Sequence, residues 1–424
     1  MSIAVAEEHS EPPGRGLRVR GADWRQSFRA LRNPHFRRLW LAMLPSNLAW
    51  RMADVAIGYL LFQLTGSATV LGLMGLALAL PVVGFSLLGG VAADRIARRN
   101  LLAMTQAGLA LLGGVLALLV LTDAVQVWHL FAFAVLQGAL FAFNVPARQS
   151  FLTELVHDDD LLNAIAIRSA GMNASRVAGP ALAGFLLGMP IVGIGGIFLL
   201  MAAGYAVVVF SVIGLPYSPP ASTKASALQQ VTAGLHYVWS TPSLRTLIAI
   251  ATLILCLAAS HQRLLPVFAL RVFESGPAGL GLLAAANGAG ALVGTGIVAA
   301  MSGSRTPGRL FLALGGLLGV GLAGFALAPT FLLATTLIVL VGTAYSALQT
   351  LYSALLLRQA DRAMSGRVMS IWLLTMGLTP LSSLPAGMLA DLVGARLMMA
   401  GTGLLVALFV LTFGLLSPTV RRLT

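Results

Sequence analysis

Apolar runs of about twenty residues recur along the chain, each ended by arginine, Gly-Pro, Ser-Pro or a short polar turn. They begin near Leu39, Ala68, Leu101, Val127, Leu161, Ile191, Leu244, Gly276, Leu310, Thr330, Ser365 and Ala395. At about 1.5 Å of rise per helical residue, such a run matches the roughly 30 Å hydrocarbon core of a bilayer. The pattern predicts an all-α membrane protein of twelve transmembrane helices. The polar turns alternate in composition. Those after spans 1, 3, 5, 7, 9 and 11 hold few charges: Asp123, Glu274, Asp391 and Arg396, with Arg271 at a helix end. The turns on the other side hold most of the arginines. Short arginine-rich loops face the cytoplasm, so both termini are expected there.

The pattern also repeats. Gly90, Asp94, Arg95, Arg99 and Leu102 correspond at a constant offset to Ala300, Ser304, Arg305, Arg309 and Leu312. Arg148-Gln149, ending span 4, recurs at the same offset as Arg358-Gln359, ending span 10. Equal offsets at two separated places argue for a duplicated six-helix unit, and hence two pseudo-symmetric bundles. The expected organisation is a tail at 1–37, a six-helix bundle at 38–214, a linker at 215–242 bearing Pro216, Pro219 and Pro220, a second bundle at 243–418 and a tail at 419–424.

Composition sharpens the class. The 424 residues are 58% hydrophobic and 10% charged, with mean hydropathy +0.89; soluble domains carry about 25% charged residues. The net charge of +13 is almost wholly arginine, Lys224 being the single lysine. So basic a chain suggests nucleic acid, but the arginines sit in the termini and in alternate turns, and membrane topology accounts for them better. Cys256 is the lone cysteine, which excludes disulfides and Cys-based zinc sites. Gly319, Gly321 and Gly324 spell a dinucleotide-like GVGLAG, but they lie mid-span with no preceding strand, so helix packing explains them. Nothing resembles a P-loop, H-E-x-x-H or G-x-S-x-G. No cofactor, metal or nucleic acid is expected.

Between spans 2 and 3 stand Gly90, Asp94, Arg95, Arg98 and Arg99, in the order G-x-x-x-D-R-x-x-R-R with Ala97 in place of the usual glycine. This turn resembles the loop 2–3 motif of major facilitator superfamily transporters. The stretches LTGSATVLGL, NVPARQSFLTELV and NAIAIRSAGMNASRVAGPALAG resemble the branch of enterobactin-type siderophore exporters and macrolide efflux pumps. Arg176, Gly179, Pro180 and Gly184, with Ser175 and Ala183, resemble the span-5 motif of proton-coupled exporters; its final Gly-Gly is Ala-Gly here. The resemblance implies the major facilitator fold, no enzymatic activity, and a multi-pass protein of the bacterial inner membrane that acts as a monomer. In that family the loop 2–3 acid and arginines latch one conformer, and Asp94, Arg95 and Arg99 match those positions. The second-half copy has lost the acid, being Ser304.

An ionisable group at mid-span costs roughly 2.5–3.5 kcal/mol to insert, so it needs a partner or a wet cavity. Asp54 is the only acid well inside a span, and Asn47, Arg51, Asp54 and Gly58 share one face of span 1. The resemblance makes that span cavity-lining. Asp54 then carries a transported proton tuned by Arg51, or the two form a static pair. Arg168 and Arg176 in span 5 have no acid within their own span and fit either bundle support or an anionic ligand. Gln137, Phe141, Asn144 and Arg148 form a stripe in span 4, and Tyr345, Gln349 and Tyr352 another in span 10. Both stripes fit substrate contact or packing. In span 7, next to His261 and Gln262, Arg263 closes an outer gate or snorkels outward. The reading is a secondary exporter of a small organic molecule (a drug, siderophore or other secondary metabolite) by alternating access in antiport with protons. The alternatives are an importer or lysophospholipid flippase of the same fold, or a membrane receptor or enzyme.

Overall fold

A computed structural model describes residues 28–216, 236–301, 306–361 and 364–416. The first 27 residues, the linker residues 217–235 with Pro219, Pro220 and Lys224, the turn holding Ser304 and Arg305, residues 362–363, and the chain from 417 lie outside the described residues. The first six helices are α1 (Pro34–Thr65), α2 (Ala68–Arg95), α3 (Arg98–Leu121), α4 (Val127–Leu155), α5 (Asp158–Leu187) and α6 (Gly193–Ile213). They are followed by α7 (Pro242–Val267), α8 (Gly276–Ala300), α9 (Pro307–Leu327) and α10 (Phe331–Gln359). Span 11 is α11, in two pieces (Ser365–Leu378 and Ser383–Val393) joined by a 3-10 turn at Thr379–Ser382, and α12 is Ala395–Leu416.

Local chemistry sets the ends. Asn33 caps α1, its side chain accepting from the His35 and Phe36 amides at 2.9 and 3.1 Å, with Pro34 at the first helical position. Gly66, at φ +61°, ends the helix in the left-handed conformation that glycine adopts without a Cβ clash. Ser67 caps α2 and Thr330 caps α10, each through a side-chain oxygen. At the break in α11, after Pro380, the Ser382 hydroxyl donates to the Cys256 carbonyl at 2.5 Å and lies 2.8 Å from that of Thr379. Irregular backbone at membrane depth needs such internal partners.

Nine of the described helices are long and apolar enough to cross a bilayer. The exceptions among the spans are α1, which carries Arg51 and Asp54, α5, which carries Arg168 and Arg176, and α11, which is interrupted. Apolar side chains such as Leu111, Phe210, Val320 and Leu404 point outward, exposed as lipid contact requires, while His261, Gln106 and Asn144 are buried. The two halves use the same pairings, α2 on α4 and α3 on α6 in the first, α8 on α10 and α9 on α12 in the second. Close backbone approach makes these pairings possible. A Cβ on Gly319 would lie 2.6 Å from the Gly403 carbonyl oxygen, so the glycine of GVGLAG is a contact between α9 and α12. Across the halves, α5 packs on α8 and α2 on α11.

Candidate substrate cavity and its gates

A cavity of about 550 Å³ lies between the halves, within the size range of small-molecule sites. Helix α1 contributes Trp50, Arg51 and Asp54; α5 contributes Arg176 and Pro180; α7 contributes Gln262 and Arg263; α8 contributes Asn287; and α10 contributes Tyr345, Ser346 and Gln349. Arg51, Arg176 and Arg263 thus face a single carboxylate, Asp54.

Asp54 is held from the other half. Arg263 Nη1 donates to Asp54 Oδ1 at 3.0 Å, with both side chains partly open to the cavity at 31% and 42% exposure. Arg51 instead lays its guanidinium on the Trp50 ring, 4.3 Å from the ring centre, and Phe141 supports that indole edge-on at 5.7 Å. The pairing suggested by helical spacing is therefore replaced by an inter-half bridge. Among the described residues no carboxylate lies within 4 Å of Arg51 or Arg176. Behind the cavity wall, His261 is fully buried. Its Nδ1 donates to the Ala258 carbonyl at 2.5 Å, its Nε2 lies 3.3 Å from Asn287 Oδ1, and Tyr345 packs edge-on against the ring.

The other residues singled out in the sequence divide. Tyr345 and Gln349 line the cavity, whereas Tyr352 is fully buried and does not. Gln137 and Asn144 are buried in the first half, Asn144 donating to Thr105 Oγ1 at 2.8 Å, and neither reaches the cavity. Asn47 and Arg168 line a separate crevice with Arg148. The span-5 motif forms a seam. A Cβ on Gly179 would strike the Cβ of Arg51, and one on Gly184 would come within 2.7 Å of the Gly281 Cα on α8.

The seam closes at the end away from the arginine-rich turns. Asp391, in the last turn of α11, accepts from Ser67 Oγ at 2.7 Å, the Ala68 amide at 2.9 Å, and the Thr69 amide and hydroxyl at 2.8 and 2.7 Å. A carboxylate of one half thus caps the N-terminus of α2 in the other, where the helix dipole favours negative charge. Partial burial alone would raise this carboxyl, but the donors from Ser67, Thr69 and Ala68 outweigh it and hold it at about 2. Arg271 donates to the Gly66 carbonyl and lies 3.9 Å from Asp391. Sequence reasoning missed this gate: Asp391 reads as a loop acid until α2 is placed beside it.

At the arginine-rich end two of the loop 2–3 residues have partners among the described residues. Arg98 pairs with Glu154, and Arg99 Nη1 donates to the Leu215 carbonyl at 3.1 Å. Gly90 lies in the last turns of α2 with open space around its Cα, and Arg95, which ends the helix, is exposed. Asp94 is helical, but its side chain lies outside the described residues.

Two like-folded six-helix halves around a central polar cavity, sealed at one end, define a transporter of the major facilitator class. The chain belongs to the transmembrane secretion effector family of that superfamily, whose profile matches residues 25–421. It is 29% identical over 346 residues to the enterobactin exporter EntS of Citrobacter koseri, covering 80% of this chain and 81% of that one. The EntS of Shigella boydii serotype 4 is 28% identical over the same length. Among solved structures, a bacterial homolog of the human lysosomal transporter Spinster, inward-facing and unoccupied, superposes with a TM-score of 0.74 at 16% identity, covering 95% of this chain and 98% of that one. The nucleoside transporter NupG gives 0.71 at 14% identity, covering 90% and 98%. These relatives are transporters, not enzymes.

Proposed function

We propose that the chain exports a small organic anion from the cytoplasm of a bacterial cell, by alternating access and in exchange for protons. The carrying observation is the Asp54–Arg263 bridge between halves, in a cavity whose other charges, Arg51 and Arg176, are positive. With the arginine-rich turns and both termini cytoplasmic, the closed Asp391 gate faces outward and the cavity is reached from inside. An anion arriving there is drawn by a field of two uncompensated positive charges. It also competes with Asp54 for Arg263. Either ligand breaks this bridge, the anion by occupying Arg263 and the proton from outside by neutralising Asp54, and exchange requires that the halves rock with one of the two bound and never with both. One proton crossing 100 mV supplies about 2.3 kcal/mol, roughly 50-fold in concentration, so ATP is not required. The EntS relatives, by name exporters of enterobactin, support the direction and the class of cargo.

The test is accumulation in inside-out membrane vesicles made acidic inside, using aromatic carboxylates and catecholates alongside their neutral esters. The acids should accumulate only while the pH gradient stands, and the esters should not. Equal accumulation of acids and esters, or accumulation that survives collapse of the gradient, would overturn the reading.

A further inference from the structure

The central arginines are not the only cations at membrane depth. Arg148 on α4 and Arg168 on α5 line a second crevice, about 20 Å³ in volume, walled by Phe36, Trp40, Asn47 and Met172. Along α5, Arg168 lies eight residues before Arg176, about 12 Å nearer the arginine-rich end at 1.5 Å per residue. The Nε of each arginine is buried without a hydrogen-bond partner, and no carboxylate among the described residues lies within 4 Å of either side chain. The two charges also repel one another. Neighbouring polar groups do not relieve this. The Tyr205 side chain is buried and its hydroxyl is itself unpartnered, while the Trp40 indole is committed to the Ile167 carbonyl at 3.3 Å. Two adjacent guanidiniums in an apolar bundle, with no acid beside them among the described residues, call for an external anion. The crevice admits one small polar group, so it takes the end of a molecule and leaves the rest on the ring and methionine surfaces around it.

We propose that Arg148 and Arg168 form a second anion site, which binds the acidic end of an amphiphilic molecule whose apolar part rests on Phe36, Trp40 and Met172. The shared chemistry fits two sources, the exported molecule on its way in and an acidic lipid headgroup. The proposal rests on the position of the crevice, not on proton coupling or on the direction of transport.

The probe is 11-(dansylamino)undecanoic acid, compared with its neutral amide, on the full chain in phosphatidylcholine nanodiscs. Binding is read by energy transfer from tryptophan and by the rise in unfolding temperature. The acid should bind at least tenfold more tightly than the amide. Arg168→Gln and Arg148→Gln should each erase that preference, Arg168→Lys should keep part of it, and Arg245→Gln, at an exposed position of the second half, should not alter it. Because neither arginine has an acidic partner among the described residues, the Gln variants without probe should unfold at or above the native temperature and lose the probe-induced rise. Should Arg148→Gln fail to assemble, Arg148→Lys carries the same acid-to-amide comparison. Displacement of the probe by added phosphatidylglycerol supports the site with a lipid as its resident, and no displacement supports it with the transported molecule. Equal binding of acid and amide would overturn the proposal. So would loss of the preference in Arg176→Gln but not in Arg168→Gln, or a lowered unfolding temperature with the probe-induced rise intact.

Discussion

Replacing Asp391 with asparagine keeps the side chain's size and one carbonyl oxygen but removes the charge and half of its accepting capacity. The carboxylate receives four donors at 2.7–2.9 Å from residues 67–69. Hydrogen bonds to a charged group contribute about 1.5–3 kcal/mol each, and the α2 dipole adds about 0.3–1 kcal/mol. Asparagine retains about half of the bonds, and water at this rim, where the Asp391 side chain is 27% exposed, weakens the remainder. The closed gate should therefore lose about 2–3 kcal/mol, a 30- to 150-fold change in the ratio of closed to open molecules. A protein that is about 99:1 closed would come near parity. The assay is double electron–electron resonance between spin labels at positions 123 and 274, one in each half at the gated end, in a Cys256→Ser background. Asp391→Asn should add a longer-distance population that the native protein lacks. Indistinguishable distance distributions would refute the argument that this trans cap holds the gate.

Other perturbations test neighbouring parts of the account. The same gate should resist acid: Asp391 is held at about 2, so its contribution is complete above pH about 4 and is lost only as pH falls through about 2. Labels at 123 and 274 should accordingly report a closed end at pH 5, and opening by pH 5 would contradict the assignment. Gly184→Val should push α5 from α8 at Gly281 and lower transport at least tenfold, whereas Gly114→Val, with open space around it, should assemble and transport normally. Transport by Gly184→Val at the native rate would show that the seam tolerates separation. Trp50→Ala removes the ring under Arg51, a contact worth about 0.5–2 kcal/mol, and should weaken binding of an anionic substrate about 2- to 30-fold with less effect on a neutral analogue. Equal weakening of both in equilibrium binding would assign Trp50 to packing alone.

The spans and their ends were legible because both signals are local: a run of apolar residues has a length, and the arginine that stops it is adjacent. The glycines of GVGLAG read as packing for a similar reason, since mid-span glycine without charge nearby has little else to do, and Gly319 indeed meets Gly403. What stayed hidden was partnership between helices. Helical spacing reports which residues share a face, so it offered Arg51 to Asp54, while the actual partner, Arg263, is 209 residues distant. The stripe through Gln137 and Asn144 shows the complementary limit. In a membrane bundle a polar stripe marks any face turned from lipid, and this one meets α3 through Thr105 instead of the cavity. Arg176, Gly179 and Gly184 were found by motif, but their function as a seam depends on Arg51, Gly281 and Gly288, which no spacing on α5 could indicate.

In the proposed function Asp54 carries the proton that drives the anion outward, through its bridge to Arg263. The direct measurement is transport in reconstituted liposomes, comparing accumulation under an imposed pH gradient with downhill exchange without one. Asp54→Asn should abolish gradient-driven accumulation and leave exchange measurable. Because both partners are partly exposed to the cavity, stranding Arg263 should cost only about 1–2 kcal/mol, less than the 3–5 kcal/mol of a fully buried pair. The double variant Arg263→Gln with Asp54→Asn removes that stranded charge; it too should fail to accumulate, with exchange through Arg51 and Arg176 weakened by the loss of one anion contact. Accumulation by the double variant to the native level would show that the bridge is a structural contact and not the coupling site.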